Sequence, residues 1–312
     1  MTTLYLTPET KQLQPSVATI GFFDGVHLGH QHVLKQVVQH ARDRQWTSIA
    51  ITFDVHPRVV VQPNFTPELI TPLEEKLQLI AETGVDITAV LPFSTEMAQL
   101  SAFRFMQTIL KEQLNVQQLI IGYDNRFGKQ SGETFEDYVR FGAELGIEVL
   151  LSTPFDTPQG RASSSTIRKM LHNGDVDVVQ QLLSRPYSFL GKVVHGYQEG
   201  RKLGFPTANI EPKYSTTILP KEGVYAVQIE LSATHKRYNG MLNIGNRPTY
   251  GTFKQTIEVH IFDFNEEIYD SEVRVFFIER VRDEVKFSSV EQLKEQLIAD
   301  KKRVEQILNS QK

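Results

Sequence analysis

The sequence predicts two domains of different class: an α/β domain built on a parallel sheet, then a smaller antiparallel β domain, a sheet or small barrel, with a C-terminal helix. Three observations predict this. Strand-like and helix-like runs alternate through the first half, as βαβ units require. From Phe189 onward strand-like runs follow one another without helices, punctuated by Gly, Pro and Asn, as in antiparallel sheets and small barrels. The last segment returns to helical period, with Leu293, Leu297, Val304 and Leu308 on one face. A length of 312 residues agrees with about two domains.

The elements follow in order. Strand-like runs are Val17–Phe23, Ser48–Phe53, Ile87–Phe93, Gln118–Gly122 and Ile147–Ser152. Between them His32–Arg44, Leu73–Glu82, Ala102–Leu114 and Phe135–Leu145 carry apolar residues at helical spacing. Ser101 sits where an N-cap belongs, and Gly84 and Gly146 where C-caps belong. Two shorter helices, Thr166–His172 and Val176–Leu183, precede Ser184-Arg185-Pro186. The period changes there, which places the boundary near Ser184–Tyr187 and gives domains 1–184 and 185–312. The later strands are Gly191–Val194, Val224–Leu231, Tyr238–Ile244, Thr256–Phe262 and Val273–Ile278. Ser288 or Ser289 caps the closing helix, with Glu291 or Gln292 three residues on.

Composition narrows the function classes. A chain 40% hydrophobic and 22% charged suits globular domains with real cores. The net charge is −4 with Lys and Arg dispersed, which argues against nucleic acid as the main partner. Without Cys the chain has neither disulfides nor thiol chemistry. Met1–Thr10 lacks the basic and apolar regions of a signal peptide. No apolar run is long enough to cross a bilayer. The expectation is a cytoplasmic protein acting on small molecules, without nucleic acid or membrane, as a monomer or weak homo-oligomer.

The chemistry concentrates in Gly21-Phe22-Phe23-Asp24-Gly25-Val26-His27-Leu28-Gly29-His30, where a strand turns into a helix. Open α/β sheets bind nucleotides at such junctions. Gly25 and Gly29 permit a tight turn and close approach of a phosphate, helix N–H groups face it, and two imidazoles can donate to phosphoryl oxygens. Incidental histidines in a glycine-rich turn are the weaker reading. Zinc is weaker too, because the pair is three residues apart and no Glu lies between, unlike the metalloprotease helix. Ser163-Ser164-Ser165-Thr166-Ile167-Arg168 opens a later helix. Its hydroxyls can cap the helix or bind phosphate. Arg168 opposes the helix dipole there unless an anion is bound.

In the second half, Gly200-Arg201-Lys202-Leu203-Gly204-Phe205-Pro206-Thr207-Ala208-Asn209-Ile210 forms a shaped basic loop. On an extended segment Thr207 and Asn209 face one way and offer the oxygen ligands Mg²⁺ prefers. The bland alternative is a basic surface loop before an edge strand. Glu258 and His260 share the polar face of Ile257–Ile261. That face is either solvated or carries a base for an attacking hydroxyl.

These motifs carry a family resemblance. The Gly21–His30 and Ser163–Arg168 segments, with Thr52-Phe53-Asp54-Val55-His56-Pro57 and Gly122-Tyr123-Asp124-Asn125-Arg126-Phe127-Gly128, resemble the adenylyltransferase module of bacterial bifunctional riboflavin kinase/FAD synthetases. The resemblance implies a Rossmann-like nucleotidylyltransferase fold and AMP transfer from ATP to FMN. It implies that His27 and His30 contact the ATP phosphates and that Ser164 and Arg168 hold them from the other side. Gly21, Phe22, Asp24, Gly25, Gly29 and Ser163 join the nucleotide contacts, and Asp124 and Asn125 the flavin contacts; Asp24 and Asn125 stand for metal or flavin. The chain departs from the family pattern at Ser165, where Thr is more common, at Val55, where Pro is, and at Asn125, where an aromatic is.

Gly200–Ile210, Gly223–Val227, Asn243–Thr249, Glu258–His260 and Arg282–Phe287 are similar, in order and spacing, to the riboflavin kinase module. That implies a six-stranded antiparallel barrel. Gly200, Lys202, Gly204, Thr207 and Asn209 would bind ATP, Thr207 and Asn209 would also hold Mg²⁺, and Arg282 would contact the flavin. Glu258 would activate the riboflavin 5′-hydroxyl. Riboflavin, FMN and FAD are then substrates and products, with ATP as co-substrate. The rivals are a single-activity kinase with a degenerate first domain, a flavin-binding regulator without catalysis, and a tRNA-ligase relative sharing the HxGH-type turn.

Overall fold

The structure is a computed structural model. It describes residues 1–312 except 124–125, 130–131, 154, 156, 159, 197–199, 201–202, 250–251 and 311–312, with backbone alone at 246–249 and 252–254. The chain divides into two compact units, Met1–Ser163 and Ser164–Lys312.

The first unit holds a six-stranded sheet: β1 (Thr2–Tyr5), β2 (Ser16–Ile20), β3 (Thr47–Phe53), β4 (Ile87–Leu91), β5 (Val116–Ile121) and β6 (Glu148–Leu151). Its order is β1-β4-β3-β2-β5-β6, and every pair is parallel. The chain runs outward through β3 and β4, then returns to place β5 beside β2. The order therefore reverses at β2, and a crevice opens at the carboxyl ends of β2 and β5, where α/β sheets bind ligands.

Helices cover both faces, so β2 is buried at all five positions. Ala18, Ile20, Ile49 and Ile51 pack on one side with Met106, Leu110 and Tyr138. On the other, Val17 and Ile120 meet Val37 and Ala41, and Ala50 meets Leu34, Val38 and Ile80. Those partners come from α1 (Leu28–Arg44) and α3 (Leu73–Ala81), separated by the short α2 (Pro57–Val61).

Several expectations are corrected here. The helix read as His32–Arg44 starts at Leu28, because the His27 side chain accepts the N–H of His30 and caps it. The helix read as Ala102–Leu114 is α only over Ala102–Phe105 and π-helical over Met106–Gln113. Strand β1, for which no sequence signal stood out, is an edge strand with three exposed positions. Phe135–Leu145, by contrast, is a helix with the expected bounds, ended by Gly146 at φ 67, and Ser101 caps as expected.

The second unit begins with helices Ser164–Asn173 and Val176–Leu183. Then come β7 (Tyr187–Val194), β8 (Ala208–Pro212), β9 (Gly223–Leu231), β10 (Lys236–Thr249), β11 (Thr252–Ile261) and β12 (Glu272–Arg282). They close a barrel in the order β10-β11-β8-β7-β12-β9, antiparallel at every pair. Closure leaves no edge strand, so the segment after the basic loop, β8, pairs on both sides.

The C-terminal helix Val290–Asn309 is capped by Ser289, whose side chain accepts the N–H of Gln292. Its Val304, Ile307 and Leu308 pack with Val224, Ala226, Met241 and Ile278 of the barrel.

Candidate active sites

In the first unit, Gly21–His30 emerges from the carboxyl end of β2, at the switch point. The turn is tight. Phe23 and Val26 take φ of 55 and 39, and Gly25 takes 81. A β-branched residue with positive φ is an outlier, costing about 1–3 kcal/mol. The buried Asp24 fixes the turn, accepting the N–H groups of Ile70 and Thr71 at 3.0 and 3.1 Å. The Gly25 N–H donates to the Thr71 hydroxyl at 3.0 Å.

The two imidazoles stack, with centroids 3.6 Å apart and planes at 21°. His27 is 5% exposed, and its Nδ1 accepts the His30 N–H at 3.3 Å. Neutral His27 therefore carries its proton on Nε2 and can donate from there. The Nδ1 atom of His30 is sealed from solvent and has no hydrogen-bond partner among the described residues. Stacked rings with one nitrogen already engaged do not converge on a metal. Gly29 matters because a Cβ there would come within 3.2 Å of the His27 ring.

His30 is held well below the ordinary 6.5, first by burial, then by the charges of His27 and Lys76. Protonation therefore costs the folded state more than the unfolded one. The stability neutral His30 contributes is present above 6.5 and is lost as pH falls below it. Between about pH 7.5 and about pH 5.5, the Tm of the first unit is expected to fall by roughly 3 °C more in the parent chain than in His30→Phe. Equal slopes in a calorimetric pH series would contradict this.

Beside the turn lies a cavity of about 370 Å³ at the carboxyl ends of β2 to β5. Gly21 and Phe22 line it with Phe53, Phe93, Phe105 and Phe127, and Arg58, Arg126 and Lys129 supply cations. Phe127 stacks on Tyr138 at 4.5 Å, and the Phe127 N–H donates to the Tyr138 hydroxyl at 3.0 Å. Gly128, at φ 102, packs where a Cβ would sit 2.7 Å from the Ala102 nitrogen. Asp124 and Asn125 lie outside the described residues. Ser163 closes the first unit. Ser164 and Arg168 lie in the first helix of the second.

Sequence reasoning passed over Lys76. It is 2% exposed, donates to the Phe53 carbonyl at 3.1 Å and stands 4.0 Å from the Phe22 ring centre. Burial lowers its pKa to about 8, against the opposing pull of Asp24 and Asp54. One signal was there: Lys76 falls on the apolar stripe of Leu73, Leu77 and Ile80.

In the second unit, a cavity of about 290 Å³ brings together Gly200, Thr207, Glu258 and Arg282. Glu258 pairs in register with Asn209 on one side and Asn243 on the other, which puts it beside the loop that carries Thr207. On the polar face of β11 Glu258 is half-buried and His260 buried. His260 and Glu258 look into this cavity, which Leu293, Leu297 and Asp300 of the last helix also line. His260 Nδ1 donates to the Pro206 carbonyl at 2.8 Å and so ties the loop to the sheet. Gly200 and Gly204 shape the loop. The Gly200 carbonyl accepts the N–H groups of Leu203 and Phe205 at 3.1 and 2.9 Å, and Gly204 takes φ 82. A Cβ at Gly196 would collide with the Asn209 amide. Lys202 lies outside the described residues.

Arg282 grips Asp300, with Nε at 3.0 Å from both carboxylate oxygens and Nη2 at 2.7 Å from one. Asp300 is 2% exposed, and Gln296 donates to it at 2.8 Å. Arg282 thus helps to fix the helix that walls the cavity, a role its sequence position did not disclose.

Comparison with known proteins agrees with this geometry. A family model described as FAD synthetase matches residues 9–166, and one described as riboflavin kinase matches residues 183–308. The bifunctional riboflavin kinase/FMN adenylyltransferase of Bacillus subtilis is 38% identical over 293 residues, covering 92% of this chain and 90% of that protein. Its Escherichia coli K12 namesake is 34% identical, covering 91% and 90%. A crystal structure described as a macrolide-efflux protein from Streptococcus pneumoniae superposes with a TM-score of 0.89 at 32% identity, over 97% of this chain and 98% of that one. Among the described residues no helix is long and apolar enough to cross a membrane. The two module types, in this order on one chain and with this coverage, identify the chain as a member of the bifunctional riboflavin kinase/FMN adenylyltransferase family.

Proposed function

We propose that this chain converts riboflavin to FMN in residues 185–312 and FMN to FAD in residues 1–184, using ATP twice. The observation that carries the reading is the pair of candidate constellations, the stacked histidines of one unit and the Glu258 cavity of the other. Paired imidazoles stand at the switch point of a parallel sheet, and Glu258, in register with Asn209 of the neighbouring strand, lines a barrel cavity with Thr207.

In the kinase step, Glu258 accepts the proton of the riboflavin 5′-hydroxyl. The new bond joins that oxygen to the γ-phosphorus, the β–γ bridge breaks, and ADP leaves. Thr207 and Asn209 offer hard oxygens, and Gly196 leaves the space that the Asn209 amide fills. This donor set suits Mg²⁺ completed by phosphates and water. When bound, the ion would neutralise charge on the ATP phosphates.

In the adenylyl step, an FMN phosphate oxygen attacks the α-phosphorus and pyrophosphate leaves, with no covalent enzyme intermediate. The His27 and His30 rings stabilise the charge that builds on the phosphoryl oxygens. By the family resemblance Ser164 and Arg168 are assigned to phosphate binding, and Gly21, Asp24, Gly25, Gly29 and Ser163 to the nucleotide. The aromatic cavity suits an isoalloxazine ring and its cations suit the FMN phosphate. Gly200, Lys202 and Gly204 are assigned to ATP in the kinase half, Arg282 to its flavin, and Asp124 and Asn125 to the flavin of the first half. The proposed setting is the cytoplasm, where ATP is available, as a monomer or weak homo-oligomer.

Incubation with riboflavin, ATP and Mg²⁺, with chromatographic separation of the flavins, is expected to yield FMN and then FAD. FMN as the sole product would leave the kinase half alone, and no ATP-dependent product would refute both halves.

A further inference from the structure

Lys76 takes part in neither step above, yet it reaches two walls of the first site. It sits on α3 among Leu73, Leu77 and Ile80, positions where an aliphatic residue would bury at no electrostatic cost. Instead its ammonium is buried against the Phe53 carbonyl and the face of Phe22. Phe53 ends β3 and Phe22 follows β2, and both line the aromatic cavity. One cation therefore spans the carboxyl ends of two neighbouring strands. The charged or titratable groups around it are Asp24 of the turn and Asp54 after β3, with His30 of α1 sensing its charge.

The ring it touches has little freedom left. His56 packs against Phe22 edge to face, with centroids 4.7 Å apart and planes at 64°. A cation over an aromatic face is attracted by the ring quadrupole, most strongly where water is excluded. Lys76 on the face and His56 in edge contact brace Phe22 where it lines the cavity.

We propose that Lys76 is a positioning residue for FMN at the adenylyl-transfer site, its buried ammonium fixing the Phe22 ring as a wall of the flavin cavity. The inference rests on the reading of that cavity as the flavin site. It assigns Lys76 no contact with substrate. It also predicts a separation of stability from function, because the buried charge costs the fold while it organises the wall.

The test uses the full chain and three variants: Lys76→Met, Phe22→Leu and the double variant. FMN adenylylation from supplied FMN, riboflavin phosphorylation and Tm are measured for each. Lys76→Met is expected to raise the KM for FMN about tenfold, the equivalent of ~1.4 kcal/mol, with kcat changed by less than about threefold. Phosphorylation by the same chain stays at the parental rate, and the Tm of the first unit holds or rises. Phe22→Leu is expected to raise the same KM, and the double variant to be no worse than Phe22→Leu alone, since the lysine acts through the ring.

An unchanged KM in Lys76→Met beside a raised KM in Phe22→Leu overturns the role of Lys76 and leaves the cavity reading standing. An unchanged KM in Phe22→Leu overturns the cavity reading and the inference with it. Should Lys76→Met not fold, Lys76→Arg decides. A KM within about threefold of the parent supports a positioning cation, and a folded variant with a tenfold rise overturns it.

Discussion

Replacing Glu258 by Gln is expected to lower riboflavin phosphorylation by about 10²–10⁴-fold, the usual range for removal of a general base. The argument is positional. Glu258 sits on β11, between Asn209 of β8 and Asn243 of β10. Thr207 and Gly200 of the shaped loop line the same cavity. A hydroxyl entering that cavity meets a carboxylate on the sheet side, beside the loop proposed for the ATP phosphates. Gln has nearly the same shape and keeps the register, but its amide does not take up a proton.

The substitution removes about 3–5 kcal/mol of transition-state stabilisation at ~1.4 kcal/mol per tenfold without opening the barrel. Asn243, its neighbour in register, donates to Glu284 at 3.2 Å, a bond the substitution leaves in place. The check is the rate of ATP-dependent FMN formation, with supplied FMN assayed for conversion to FAD in parallel. The second rate is expected to stay parental, because the His turn belongs to the other unit. A Glu258→Gln chain that phosphorylates riboflavin at close to the parental rate would remove Glu258 from the chemistry.

The sequence was most legible where local chemistry and the fold agree. The helices Phe135–Leu145 and Val176–Leu183 have the bounds that periodicity expects. The glycine and serine caps at Gly146, Ser101 and Ser289 form as their chemistry dictates. The strand-to-helix turn at Gly21–His30 was legible because glycines and histidines coincide with a change of period.

What was not legible depends on partners distant in sequence. The helix after that turn starts early because a histidine side chain caps it, and His is not among the usual capping residues. Lys76 reads as solvated by type, and its burial follows from Phe53 and Phe22 on other strands. The aromatic cavity gathers side chains from the ends of four strands, so no single segment announces it. The polar face of β11 could equally have met water. The closing helix, held by the Arg282–Asp300 pair, adds a wall to the cavity that this face lines.

Replacing His27 and His30 together by Ala is expected to stop the chain at FMN, with FAD formation down by at least about 10³-fold. One preorganised donor to a developing oxyanion contributes about 10²–10³-fold, and the turn holds two stacked rings. His27 also has a structural task as the N-cap of α1, and loss of a cap costs roughly 0.5–2 kcal/mol of stability. His27→Ala alone therefore confounds two effects. His27→Asn separates them, since an Asn side chain accepts the same helix N–H through Oδ1, while its amide N–H₂, on a shorter side chain, stops short of the position from which Nε2 donates to a phosphate. His27→Asn is expected to keep the parental Tm and still lose about 10²-fold in FAD formation from supplied FMN, while phosphorylating riboflavin normally. Pyrophosphate release and FAD formation measure the loss, and thermal unfolding measures the cap. If FAD formation returned with the cap in His27→Asn, His27 would be a structural residue, and the phosphate chemistry of the turn would rest on His30 and the helix N–H groups alone.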